Sequence, residues 1–440
     1  MKVFEDSSKI SRWIQHIPKD WKLSRLANVS DIRFSNVDKH TVEDEVPVYL
    51  CNYVDVYKKD RITGDIDFME ASADAREIER FQILKNDVLV TKDSETADDI
   101  AISALVVDDL PAVLCGYHLA LIRPRTHLAH GPYLAWLHAC KSFRAYYEAK
   151  AVGVTRFGLS QAAFKQAPVP LPPLPEQCRI AAYLDKTCYA IDTAIDKKQK
   201  QLETLDALRK SIIHKAVTRG LDDAVELKNS GAHYLGKLPS HWKVDRLKNI
   251  VNLRNSKIYV TSEEEDYLEL EDIEQGTGKI LSKRNTVEVE SAVTLFKKGD
   301  VLFGKLRPYL EKYYLAEFDG KCTGEILAFE PLKIQGRFLL YCISSTWFIG
   351  QCNMLAYGAK MPRVNWPTQL AKINIPLPLK DEQVQIADYL DDKCGEISSL
   401  KKNIVDQIFT LDQYRKSLIH ECVTGKRRIT EADMRVVQQY

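Results

Sequence analysis

The 440-residue sequence contains no apolar run close to the roughly 20 residues that a membrane span requires. Its opening residues, Met1-Lys2-Val3-Phe4-Glu5-Asp6, lack the basic-then-apolar pattern of a secretory signal. The ten cysteines are scattered, with no C-x-x-C and no paired histidine spacing. They read as buried thiols of a reducing cytoplasm rather than disulfides or zinc ligands. Catalytic signatures are missing too: there is no G-x-S-x-G, Walker loop, H-E-x-x-H or G-x-G-x-x-G, and no D-P-P-Y or N-P-P-Y of a base-flipping methyltransferase. Asp93, Glu95, Asp98 and Asp99 beside Lys92 make one carboxylate–lysine cluster, but its counterpart later in the chain reads Gly304-Lys305-Leu306-Arg307, so it is not a repeated nuclease centre. A surplus of positive charge is also lacking. The formal net charge is +1, little for a chain that would grip phosphates unaided. Residues 20–165 hold 18 basic and 22 acidic side chains, and 237–379 hold 20 and 17.

What is present is a duplication. Pro170, Leu171, Pro172, Glu176-Gln177, Ile180, Tyr183-Leu184-Asp185, Arg209-Lys210-Ser211, His214 and Val217-Thr218 reappear 206 positions on as Pro376, Leu377, Pro378, Glu382-Gln383, Ile386, Tyr389-Leu390-Asp391, Arg415-Lys416-Ser417, His420 and Val423-Thr424. An opening motif repeats at offset 221, where Ile17-Pro18-Lys19-Asp20-Trp21 matches Leu238-Pro239-Ser240-His241-Trp242. Asp87 in Leu84–Val90 matches Asp300 at offset 213, and Leu121–Pro124 matches Ala328–Pro331 at offset 207. The falling offset places extra residues inside the first unit's globular part. Opening motifs and ends are alike while the interiors have diverged.

The repeated segment predicts a long helix. Prolines exclude helix before Glu176, and a carboxylate in the first turn suits the positive end of the helix dipole. Apolar residues then recur every three or four positions at Ile180, Leu184, Cys188, Ile191, Ile195, Leu202, Leu205, Ile212 and Ala216, and in the second copy at Ile386, Leu390, Ile397, Leu400, Ile404, Ile408, Leu411, Leu418 and Cys422. This is a coiled-coil seam, ended by Gly220 and Gly425. Forty-odd residues make a rod of roughly 60 Å. The narrow seam needs a partner, and the other copy is the simplest one. Residues 176–220 carry nine basic and six acidic side chains, residues 381–425 five and nine. His214 and His420 repeat on the rods and read as structural.

The globular parts predict mixed α and β structure. Short β-rich runs occupy Val46–Val54, Val88–Lys92, Ile102–Val107 and Cys115–Ile122, followed by a helix over Pro132–Tyr147; the second unit has strands over Val301–Leu306, Tyr313–Glu317 and Ile326–Glu330, then a helix over Gln335–Asn353. Two loop clusters recur at equivalent places. One holds Thr91, Lys92 and Ser94 against Lys305, Arg307 and Tyr309; the other holds Thr155 and Arg156 against Lys360, Arg363 and Asn365. Arginine, lysine, threonine and asparagine in glycine-containing loops can contact phosphates and base edges, so these are the candidate DNA-binding residues.

Two units, each with an I-P-x-x-W-like opening, a K-x-D-V-L-like motif, a P-L-P run, an E-Q-x-x-I-x-x-Y-L-D helix and an R-K-S start to its end, resemble the DNA specificity subunit of type I restriction-modification systems over nearly the whole chain. The resemblance implies an α+β fold, with two pseudo-symmetric mixed α/β target-recognition domains separated by an antiparallel two-helix coiled coil. The expected segments are recognition domain 1 over 1–170, the first spacer helix over 171–221, recognition domain 2 over 222–376, the second helix over 377–428 and a tail over 429–440. Antiparallel closure further expects residues 1–15 beside the end of the second rod near Arg427, and 222–236 beside the end of the first. The resemblance implies a cytoplasmic, non-catalytic subunit that reads a bipartite duplex-DNA target. Its partners would be two methyltransferase subunits and restriction/translocase subunits. S-adenosylmethionine, ATP and Mg would belong to those partners, with no cofactor or metal in this chain. The competing class is a coiled-coil scaffold whose domains bind ligands or proteins and read no DNA.

Overall fold

The structure, a computed structural model, describes residues 17–255, 257–258, 265–286 and 293–438. The expected position of residues 1–15 lies outside them. The chain forms two compact units that do not follow sequence order: Met1–Lys198 with Asp406–Tyr440, and Gln199–Val405.

Both units are built on the same central sheet. In the first, strands Ser30–Phe34, Leu119–Pro124, Val88–Thr91, Ser103–Val106 and Arg61–Ile62 lie side by side in that order. In the second, the order is Val251–Leu253, Ile326–Pro331, Val301–Gly304 and Tyr313–Leu315. The strand carrying the repeated K-x-D-V-L-like motif is interior in each, which explains its unbroken apolar run. The repeated aspartate closes the turn before that strand. Asp87 accepts from the Leu84 amide at 2.8 Å and from Arg123 Nη2 at 2.7 Å. Asp300 accepts from the Lys297 amide at 2.8 Å and from Arg254 Nε at 2.9 Å. Glu330 stands where Arg123 would be and pairs with Arg254 at 3.2 Å; Arg254, just past the strand Val251–Leu253, keeps the buried Asp300 carboxylate neutralised.

The P-L-P run is a strand. Pro168–Leu171 pairs antiparallel with Lys22–Arg25, and Asn374–Leu377 pairs with Lys243–Arg246. These are two-stranded ribbons, where proline can occupy alternate positions whose missing N–H faces away from the ladder. The Pro170 carbonyl accordingly accepts from the Tyr133 hydroxyl at 2.7 Å.

The single helix expected before each ribbon is two. Gly131–Ala139 and Lys141–Glu148 break at Cys140; Gly336–Ser344 and Thr346–Leu355 break at Ser345. Both break residues are extended, with ψ of 120° and 150°. No glycine or proline marks either break. A histidine of a long helix docks beside each: Ser142 Oγ lies 3.0 Å from His420 Nδ1, and Thr346 Oγ1 lies 3.5 Å from His214 Nδ1. Burial lowers the pKa of both imidazoles.

The long helices run Leu174–Arg219 and Lys380–Val423. Each gives its N-terminal part to one unit and its C-terminal part to the other. Within the first unit the two stretches run antiparallel, shown by Asp192 with Arg415 at 2.9 Å and by Lys198 with Gln407. Within the second, Lys401 pairs with Asp206 at 2.5 Å. The seam divides into two kinds of contact. Ile180, Leu184 and Ile191 are buried in the first unit's core together with Leu418, Ile419, Cys422 and Val423. Ile386 and Leu390 are buried in the second unit's core with Ile213, Ala216 and Val217, and Ile397 is buried too. Ile212, expected as the seam residue there, is only half-buried beside Ile213. Ile195, Leu202, Leu205, Ile404, Ile408 and Leu411 are half-buried, as a two-helix contact leaves them. Leu400 is a correction: it is 53% exposed, off the seam.

The repeated motifs fasten these helices to the sheets. Trp21 Nε1 donates to Glu176 Oε2 at 3.2 Å, and Trp242 Nε1 donates to Glu382 Oε1 at 2.8 Å. Gln177 accepts from the His130 amide at 2.9 Å, and Gln383 from the Gln335 amide at 2.8 Å, each at the start of a helix pair. Asp185 accepts from Trp136 Nε1 at 2.7 Å, and Asp391 from the Tyr341 hydroxyl at 2.6 Å. Gly425, with φ of +75°, sits against Pro18 and Trp21; Gly220, with φ of +73°, sits against Trp242. Ala232 and Leu235 pack with Ala216 and Val217 at the end of the first long helix, within the second unit.

Candidate nucleic-acid interface

In each unit the two loop clusters meet beyond the end of the interior strand. In the first unit, Val152–Gly153 and Phe157–Gly158 form a hairpin that pairs with Asp93–Ser94, in register Phe157 with Ser94 and Gly158 with Asp93. Gly153 (φ +157°) lets the hairpin close, since a Cβ there would collide with the Arg156 carbonyl. In the second unit, Arg363 bridges to both Leu306 and Tyr357. The Arg307 amide donates to the Pro362 carbonyl at 2.7 Å and the Val364 amide to the Lys305 carbonyl at 3.0 Å.

A hairpin arginine is held by a carboxylate at both places. Arg156 Nη2 donates to Asp93 Oδ1 at 2.6 Å, and Asp93 Oδ2 lies 2.8 Å from His118 Nδ1. Arg363 Nε donates to Glu325 Oε2 at 3.0 Å and Nη2 to Oε1 at 3.2 Å. The Glu325 partnership raises the Arg363 pKa further, so the guanidinium stays charged. Arg156 and Arg363 occupy equivalent positions, 207 apart. Their surface ion pairs are individually weak, so each orders an arginine that a phosphate or base edge could recruit.

The remaining candidates divide by exposure. Thr155, Arg156, Arg307, Tyr309 and Lys360 are exposed, and Lys305, Arg363 and Asn365 are partly so. Arg307 and Glu311 adopt left-handed backbone, with φ of +50° and +49°, around the turn that carries Tyr309. Thr91 and Ser94 are buried. Thr91 Oγ1 accepts from the Ile102 amide at 3.0 Å, which places it inside the sheet and away from a ligand. Lys92 is turned inward, its Nζ donating to the Ser35 carbonyl at 2.9 Å over the rings of Phe34 and Tyr117. Burial lowers its pKa, with Asp93 opposing. Asn365 caps the following turn, its Oδ1 accepting from the Thr368 amide at 3.1 Å and hydroxyl at 2.8 Å.

Sequence reasoning missed several residues at these surfaces. Tyr53, Tyr57 and Tyr117 in the first unit and Glu325 and Tyr357 in the second reach the loops through tertiary pairing, with no local signal. Val154 at the hairpin tip is 92% exposed, and Tyr357 and Met361 are exposed on the second. Among the described residues no His/Cys/Asp/Glu group could hold a metal ion, and no helix is long and apolar enough to cross a membrane.

A chain with two like-built α/β units, joined through two repeated long helices and carrying a paired-loop surface on each, is a two-domain recognition protein. The sequence model of the family described as "Type I restriction modification DNA specificity domain" matches residues 18–204 and 239–408, and the chain belongs to that family. It is 24% identical over 429 residues to the type I restriction enzyme MjaVIII specificity subunit of Methanocaldococcus jannaschii, covering 94% of each chain. It is 21% identical over 276 residues to the type I restriction enzyme EcoDI specificity subunit of Escherichia coli, covering 59% of this chain and 62% of that one. Two solved structures share the fold at 18% identity. One, described as the structural basis of complex assembly and conformational transition of the type I R-M system, has a TM-score of 0.71 over 93% of this chain and 99% of that one. The other, the HsdS subunit from Thermoanaerobacter tengcongensis, has a TM-score of 0.56 over 93% and 98%. The chain is a type I restriction-modification specificity subunit with two recognition domains.

Proposed function

We propose that each unit reads one half of a bipartite duplex-DNA target through its paired loops, and that the long helices set the number of unread bases between the halves. The observation that carries this reading is the recurrence of one arrangement in both units: a strand-end loop paired with a second loop, with an arginine held at the surface by a carboxylate. Arg156, Arg307 and Arg363 are the DNA-contacting groups favoured by exposure, with Lys305, Lys360, Thr155 and Tyr309 beside them. Arginine reads guanine O6 and N7 in the major groove, and all of these can meet phosphate.

The subunit works in the cytoplasm without catalytic group, metal or cofactor of its own. It docks two methyltransferase subunits and restriction/translocase subunits, which supply S-adenosylmethionine, ATP and Mg chemistry. The near-neutral charge fits this division of labour, because counterion release scales with the phosphates neutralised and +1 supplies few. Gel-shift of randomised duplexes, with and without a co-expressed methyltransferase subunit, tests the reading. The complex should retain DNA and enrich two short motifs at fixed spacing. Enrichment of no sequence would favour the ligand- or protein-binding scaffold.

A further inference from the structure

The two loop surfaces share an architecture but not a chemistry. Where the second unit presents Lys305 and Arg307, the first presents a cavity of about 480 Å³ whose lining includes Tyr53, Tyr57, Ser94, Glu95, Asp99 and Arg156. Tyr53 and Tyr57 lie one turn apart on the helix Tyr53–Lys58 and stack with ring centroids 5.5 Å apart at 15°. The Tyr57 hydroxyl donates to Asp99 Oδ2 at 2.6 Å, and Ser94 lines the cavity beside Tyr53. Arg156, the one cation in the lining, is already paired with Asp93. The cavity therefore offers acceptor oxygens beside a flat aromatic wall, with Arg156 at its margin.

The base edges that suit such a lining carry an exocyclic amino group. Cytosine N4 and adenine N6 donate in the major groove, and carboxylates accept from them. We propose that Glu95 and Asp99 are specificity-determining residues of the first unit, accepting from the amino group of an adenine or cytosine seated against the Tyr53–Tyr57 wall. This rests on the DNA-reading role proposed above. It gives the two half-sites unlike chemistry: the first unit adds acceptor reading to its Arg156 contact, where the second presents donors.

The test uses the full chain with its methyltransferase subunit. Selection from a randomised duplex library first yields the wild-type target. Duplexes are then made in which each adenine of the target is replaced by purine lacking the 6-amino group, and each cytosine by pyrimidin-2-one lacking the 4-amino group. One such deletion, in one half-site only, should weaken wild-type binding roughly tenfold. The same deletion should cost Asp99→Ala or Glu95→Ala little further, while Arg307→Ala stays fully sensitive to it. Glu95 is exposed and Asp99 half-buried, and thermal melting checks that the variants fold. Glu95 and Asp99 variants that keep full sensitivity to every amino deletion would overturn the inference while leaving DNA reading intact. A wild-type complex that selects no sequence would instead overturn DNA reading itself.

Discussion

Replacing Glu176 with alanine removes the group that joins the opening motif to the first long helix. Its side chain is 5% exposed. It accepts from Trp21 Nε1 at 3.2 Å and from Arg428 Nε at 2.7 Å and Nη2 at 3.0 Å. The two partners respond differently to its loss. Trp21 is only 6% exposed, so its indole N–H is left unsatisfied, at a cost of about 1–3 kcal/mol. Arg428 is 44% exposed and keeps Asp20, so its share is screened and below about 1 kcal/mol. The total is about 1–4 kcal/mol. For a unit of this size that lowers Tm by roughly 2–16 °C, in the transition belonging to Met1–Lys198 with Asp406–Tyr440. Differential scanning calorimetry with a double-mutant cycle isolates the indole share, because Trp21→Phe deletes the N–H and the cycle cancels the lost ring volume common to both backgrounds. Glu176→Ala should cost about 1–2 kcal/mol less in the phenylalanine background. Additive effects would refute the claim that this hydrogen bond is why both residues recur.

Gly425→Ala should destabilise more than Gly220→Ala. Both pay the left-handed backbone cost of about 1 kcal/mol, but a Cβ at 425 meets Pro18 Cγ at 2.5 Å while one at 220 meets Trp242 at 3.3 Å; urea midpoints decide. His138 is fully buried, and burial lowers its pKa from 6.5 to about 4. The folded pKa lies below the unfolded one, so its neutral form contributes full stability above pH 6.5, and up to about 3 kcal/mol is lost as pH falls from 6.5 to 4. His138→Leu should flatten that part of the urea-midpoint profile, and an unchanged slope would count against it. Arg363→Ala should weaken binding of the selected target roughly tenfold while changing binding to unrelated duplex less; equal loss on both would make Arg363 a phosphate contact only.

The helices and the twofold repeat were legible because identical residues recur at one offset and because apolar spacing of three and four has one helical meaning. The reason for the motifs was not legible. Glu176 and Trp21 are 155 positions apart, and nothing local announces that a glutamate in a first helical turn will accept from a distant indole. The breaks at Cys140 and Ser345 carry no glycine or proline, and the histidines that lie beside them come from distant positions in the chain. Leu400 satisfies the apolar period, yet the pairing leaves it outside. The loop clusters were visible as composition, but their convergence depends on strand pairing of Phe157 with Ser94. The five-stranded sheet of the first unit buries Thr91, which composition alone offers as a contact.

The most direct measurement exchanges residues 30–165 for the corresponding domain of another family member and maps the methylated target of the reconstituted complex. One half-site should change while the other half-site and the spacer stay the same. A change in both half-sites, or in neither, would contradict a chain in which each unit reads its own half.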